Sequence, residues 1–179
     1  MDLQLNNRLA LVSGSTAGIG YSIAEALLRE GARVIVNGRS QASVDAAVAR
    51  LGAGAIGFAG DLSKAGDAET VVHNYPDIDI LVNNLGIFEP KAFEDIPDED
   101  WLRFFEVNVL SGARLARLVL PGMKRRNWGR ILFISSESGV QIPAEMVHYG
   151  MTKSAQIAIA RGIAESVAGS GITVNSVLP

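Results

Sequence analysis

Six short apolar runs alternate with five longer stretches in which apolar residues recur every three or four positions. Arg8 to Ser13 (Arg-Leu-Ala-Leu-Val-Ser) opens the series. A nearly continuous apolar run of this length suits a parallel strand buried on both faces. Ile23, Ala24, Ala26, Leu27 and Leu28 then form a helical stripe that stops at Gly31, a C-cap position. The second to sixth runs lie at 33–37, 55–59, 79–82, 130–135 and 172–177. Helical periodicity falls over 41–51, with Ser40 as N-cap, over 64–74, over about 97–126 and over about 148–168. In the long fourth stretch, Asp98, Glu99 and Asp100 suit the positive end of the helix, and Lys124, Arg125 and Arg126 suit its negative end. Pro121-Gly122 is expected to kink or interrupt it.

This strict β-α alternation predicts a doubly wound α/β fold. One parallel Rossmann-type sheet of order 3-2-1-4-5-6 carries helices on both faces and forms a single domain over residues 1–179. Ligands in such sheets sit beyond the carboxyl ends of the strands, near the switch point between strands 1 and 4. The unusual residues of this chain fall at those ends: Gly14, Asn37-Gly38-Arg39, Asp61, Asn83-Asn84 and Ser136.

Composition narrows the chemistry. The chain is 48% hydrophobic and 20% charged with a net charge of -3, which favours a globular protein and gives nucleic acid no basic surface. It has no cysteine, so disulfides, thiolate metal sites and cysteine nucleophiles are excluded. His73 and His148 are isolated, and no metal site is expected. No apolar run approaches ~18 residues and no signal-like segment opens the chain, so a cytoplasmic protein without membrane contact is expected.

Five stretches carry candidate chemistry. Gly14-Ser15-Thr16-Ala17-Gly18-Ile19-Gly20 lies between the first strand and first helix. Glycines there allow close backbone approach to a pyrophosphate, which the helix amino end then attracts. Strand two ends without the acid that many NAD sites use for ribose. Arg39 offers instead a fork donor for a 2′-phosphate, or is a solvent-exposed loop arginine. Asp61, followed by Leu62, is placed either to accept from an adenine amino group or to cap the next helix. Asn83-Asn84-Leu85-Gly86 reads equally as a cofactor wall or as a tight turn. Finally, Tyr149 and Lys153 are four apart on a helix and share one face. An ammonium at ~6 Å favours a phenolate by roughly 3 kcal/mol at an effective dielectric of ~20, and Ser136 offers a hydroxyl to hold a substrate oxygen beside it.

Together these residues resemble the short-chain dehydrogenase/reductase family along the whole chain: Gly14-x3-Gly18-Ile19-Gly20, Asp61-Leu62, Asn83-Asn84-Leu85-Gly86, Asn108, Ser136 and Tyr149-x3-Lys153. The resemblance implies an oxidoreductase that interconverts an alcohol and a carbonyl with NAD(P), and Arg39, in place of a ribose-binding acid, favours NADP(H) over NAD(H). It implies a catalytic tetrad of Asn108, Ser136, Tyr149 and Lys153. In it Tyr149 exchanges the proton, Ser136 orients the carbonyl, Lys153 binds the nicotinamide ribose, and Asn108 supports a relay water. Gly14, Ser15, Thr16, Gly18, Ile19, Gly20, Arg39, Asp61, Leu62, Asn83, Asn84, Gly86, Tyr149 and Lys153 would contact the cofactor. It also implies a homodimer or homotetramer built through the helices at about 97–126 and 148–168. Leu85 departs from the alanine usual in the family. The family's substrate loop, last helix and last strand would follow Pro179, so residues 1–179 alone are expected to bind cofactor weakly, turn over slowly and tend to aggregate. A dinucleotide-binding protein without turnover is the alternative reading.

Overall fold

A computed structural model describes residues 3–179. Its six strands are β1 (Leu9–Val12), β2 (Arg33–Gly38), β3 (Ala55–Ala59), β4 (Ile80–Asn83), β5 (Gly129–Ile134) and β6 (Ile172–Val177). All pair in parallel, in the order β3-β2-β1-β4-β5-β6. The expected order is therefore the observed one. The chain steps outward from β1 to β3, then crosses back to begin β4 on the other side of β1, which opens a crevice between the β1 and β4 carboxyl ends.

The unbroken apolar character of the strands follows from burial on both faces. Leu9, Leu11, Ile35, Leu81, Ile131 and Phe133 point to one side. There they meet Val71 of α3 (Ala65–Asn74), Leu115, Val119 and Met123 of α5 (Ser111–Arg126) and Ala160 of α6 (Val147–Ser166). Ala10, Val12, Val34, Val36, Ile80 and Val82 point to the other, against Ala24 of α1 (Gly18–Arg29) and Ala47 of α2 (Gln41–Leu51). Alternate residues thus serve opposite layers, as the period of a strand requires. Ser40 caps α2, its hydroxyl accepting from the Ser43 amide at 3.3 Å.

The stretch expected as one helix over 97–126 is three pieces: α4 (Asp98–Phe104), a π-helical turn over Phe105–Leu110, and α5. The expected interruption at Pro121 is absent, because α5 runs through that residue. Proline in a lone helix costs on the order of 3 kcal/mol. Here Leu115, Ala116, Val119, Gly122 and Met123 are buried around it, and that packing outweighs the lost hydrogen bond. The irregularity lies instead at the widened turn, which puts Asn108 and Val109 both in the interior. No helix among the described residues is long and apolar enough to cross a membrane.

Candidate active site

The floor of the crevice is a set of side chains that hold loops together. Gly14 follows β1 with φ 60° and donates its amide to Asn37 Oδ1 at 3.1 Å. Asn37 is buried at the end of β2. Its Nδ2 donates to the Phe58 and Gly60 carbonyls at 3.2 and 3.0 Å, so one amide ties the glycine loop to β3. Ser15 is fully buried; its hydroxyl donates to Val12 O and accepts the Asn37 amide, so it braces the loop from within. Asn84 does the same from just after β4, donating Nδ2 to the Ser13 and Gly14 carbonyls, both at 3.0 Å. A Cβ on Gly20 would lie 2.4 Å from Gly14 O and 2.5 Å from Asn84 Nδ2. Glycine is therefore the one residue that lets α1 start this close to the loop. Ala17, the N-cap of α1, supplies no side-chain acceptor, which leaves the first amides of that helix open to an anion.

At the outer end of the crevice, Thr16, Gly38, Arg39, Asp61, Leu62 and Leu85 line a cavity of about 170 Å³ with Gly14. Among the described residues no carboxylate pairs with Arg39. Asp61 Oδ1 accepts from the Ser63 amide at 3.0 Å and its hydroxyl at 2.7 Å. One carboxylate oxygen is thus committed to the turn before α3, while the residue still borders the cavity. Leu62 is buried in the core. Asn83 lies under α5 with both amide atoms buried and unpaired, facing away from the crevice.

At the inner end, a cavity of about 290 Å³ is lined by Ile19, Asn84, Gly86, Ile87, Phe88, Ile134, Ser135, Ser136, Tyr149, Lys153 and Pro179. Three residues of the expected tetrad meet here. Ser136 caps the short turn Glu137–Gly139, accepting the Ser138 amide at 3.2 Å. Tyr149 is half-buried on the first turn of α6, and Phe88 stands edge-on to it with ring centroids 6.3 Å apart. Lys153 lies one turn on, its Nζ 5.5 Å from the Tyr149 ring centroid. It is 4% exposed, and Nζ donates to Ile134 O at 2.9 Å. No carboxylate offsets the burial, which pulls this lysine down to about 8.

Asn108 stands behind this wall. Its Oδ1 accepts the Ile87 amide at 2.7 Å, and its Nδ2 donates to Ile87 O and Thr152 Oγ1 at 2.9 and 3.0 Å. Both amide protons are thereby used in fixing the 84–88 loop against α6. The same loop is held from outside. Lys91 pairs with Asp100 and Glu89, and Arg103 with both acids. Lys91 and then Arg103 hold the Asp100 carboxyl below its usual range. His148 is buried between Phe104 and Trp101 with both ring nitrogens unpaired, and burial lowers it.

Phe88 and Ser135 were not singled out by sequence reasoning, and Asn37 was marked only as an unusual residue at a strand end, without its bracing role. Asn37 was legible as a polar residue ending an apolar strand. Phe88 was not, since a lone aromatic in a loop has no periodicity to give it away. Val140 and Gln141 border a separate, wide cleft with Glu137, Leu178 and Pro179. No cluster of His, Cys, Asp or Glu that could hold a metal occurs among the described residues.

Comparison with known proteins matches residues 8–179 to the family described as short chain dehydrogenase. An uncharacterized oxidoreductase, YvrD, of Bacillus subtilis (strain 168) is 52% identical over all of this chain and 70% of its own length. A D-beta-hydroxybutyrate dehydrogenase of Cupriavidus necator is 39% identical over 98% of this chain, again 70% of its own. The crystal structure of an actinorhodin polyketide ketoreductase with NADPH superposes with a TM-score of 0.91 at 34% identity, over 97% of this chain and 70% of that one.

Proposed function

The chain belongs to the short-chain dehydrogenase/reductase family, a family of oxidoreductases acting on CH–OH and carbonyl groups, and from that premise we propose that it prefers NADP(H) and uses Tyr149 as its proton donor and acceptor. The observation that carries the reading is the convergence of Ser136, Tyr149 and Lys153 on one cavity at the topological switch point. The crevice suits a dinucleotide on its own geometry. A Cβ at Gly20 would fill the space beside the loop, the α1 amides are uncapped, and Arg39 at the far end pairs with no carboxylate among the described residues. When bound, the nicotinamide supplies or takes the hydride.

The protein's own groups do the rest. Ser136 donates to the substrate oxygen and fixes it within reach of the phenol. Tyr149 gives its proton to that oxygen in reduction and takes it in oxidation. The Lys153 ammonium steadies the negative charge left on the phenol, in a site where burial makes charge interactions stronger than in water. Gly14, Thr16, Gly18, Ile19 and Gly86 offer backbone and small side chains along the cofactor's length, with Asn84 holding their loops in register. Phe88 gives the pocket an apolar wall. NADPH oxidation against a panel of ketones, aldehydes and β-keto acids tests the reading. Cofactor binding without oxidation for any carbonyl would favour a binding protein instead.

Arg39→Ala is expected to weaken NADPH by about ten- to a hundredfold while changing NADH little, as loss of a charged hydrogen bond to phosphate implies. Equal weakening of both cofactors, measured by fluorescence titration, would remove Arg39 from the 2′-phosphate.

Assembly is proposed through α5 and α6 together with α4. Ala113, Leu120, Pro121, Ile159 and Ile163 border an apolar groove of about 340 Å³ between α5 and α6, and Leu102, Phe105 and Leu110 are exposed alongside. Light scattering at micromolar concentration should report at least a dimer, and Ile159→Lys should shift it toward monomer. A monomeric wild type contradicts this.

A further inference from the structure

Gln156 lies one turn beyond Lys153 on α6 and is 1% exposed. A buried primary amide needs partners for two donors and an acceptor, or its desolvation is uncompensated. Its Nε2 donates to the Asn108 main-chain carbonyl at 2.6 Å, and its Oε1 accepts from Lys153 Nζ at 3.4 Å. The two contacts fix the orientation of the amide. A carbonyl oxygen requires the NH₂ end, and an ammonium requires the oxygen end, so a flipped amide would lose both. The carbonyl it holds belongs to the π-helical turn, where the backbone pattern is widened.

We propose that Gln156 is a positioning residue for the reaction: its one side chain seats the Lys153 ammonium at the cavity wall and locks it to the widened turn that carries Asn108. This rests on the functional reading above and deepens it. Ile134 O alone would hold Lys153 at a single point. The second acceptor, on another element of the fold, restrains the ammonium in direction as well as distance. An acceptor aimed at Nζ also favours the charged form, against the burial that opposes it. No carboxylate or second cation bears on Lys153 from α6, β5, the widened turn or the 84–86 loop. Tyr149 is its one titratable neighbour among the described residues.

The test reads the lysine directly. The chain has four lysines, Lys64, Lys91, Lys124 and Lys153, so a carbon-13 label at lysine Cε gives a spectrum simple enough to titrate, and Lys153→Arg identifies the signal. Wild type should titrate at about 8. In Gln156→Met, which keeps the volume and removes the acceptor, the midpoint should fall by about one pH unit. In Gln156→Glu it should rise. Turnover of Gln156→Met should decline at a lower pH than in wild type and recover as the pH is lowered further. A Lys153 midpoint unmoved in Gln156→Met overturns the proposal. So does an unmoved midpoint in Gln156→Glu if the methionine variant does not fold. Absence of turnover in wild type would count against the functional reading alone, because the lysine titration needs neither substrate nor cofactor.

Discussion

Tyr149→Phe is expected to lower kcat by about 10²–10⁴-fold, the range that positioned general acid–base catalysis supplies. Cofactor affinity should stay within about twofold, an outcome that follows from what the hydroxyl touches. The Tyr149 ring stands edge-on to Phe88, and its backbone carbonyl accepts the Thr152 hydroxyl, but among the described residues the phenol oxygen enters no hydrogen bond. Phenylalanine preserves the ring and removes only that oxygen. Thermal stability should therefore be unchanged, and the loss should appear in kcat rather than in folding or binding. Retention of more than about a tenth of the rate would remove Tyr149 from the proton path. A fall in melting temperature alongside the fall in rate would mean that the oxygen also supports the structure.

The parts of this site that were legible in the sequence are those where a residue type is forced by backbone geometry. A Cβ at Gly20 has no room beside Gly14 O, so that glycine reads through to structure. Strand order follows from β-α alternation and crossover handedness, which is why all six strands fell within about a residue or two of expectation. Side chains that hold loops to one another were harder to see. Ser15 belongs to the glycine loop in sequence, yet its hydroxyl faces Val12 and Asn37. Spacing cannot tell an inward hydroxyl from an outward one. Asn37, 22 positions further on, is its partner, and only the folded sheet brings the two together. The widened turn at Phe105–Leu110 was invisible for a different reason: it contains no Gly or Pro, so no local breaker sets it apart from the helices on either side. Pro121 shows the converse. Its local preference is strong, but buried neighbours along α5 override it. Gln156 falls in the same helix stripe as Ile157 and Ala160, and a buried glutamine there carries no signal until Asn108 and Lys153 are seen around it.

Lys153→Met is expected to reduce turnover by about a hundredfold or more, and to weaken cofactor binding about ten- to a hundredfold through loss of a charged hydrogen bond. It should also change how stability depends on pH, with a sign fixed by the buried charge. Lys153 titrates at about 8 in the folded chain against 10.5 when unperturbed. Between those values the unfolded chain binds more protons than the folded one, so wild-type stability rises with pH across that window. The slope is about 1.4 kcal/mol per pH unit, and the whole rise is on the order of 3 kcal/mol. Below pH 8 both states are charged and the burial cost is present in full. Methionine removes that cost, but it leaves Ile134 O and Gln156 Oε1 without their donor, at about 1–3 kcal/mol each. These effects are of similar size and opposite sign, so the melting temperature at pH 7 does not discriminate. The slope does. Denaturant unfolding from pH 7.5 to 10.5 should show rising stability in wild type and a contribution from this group that vanishes in the variant. Parallel curves for the two proteins would mean that Lys153 is not a buried ammonium, and its proposed role beside Tyr149 would fall with it.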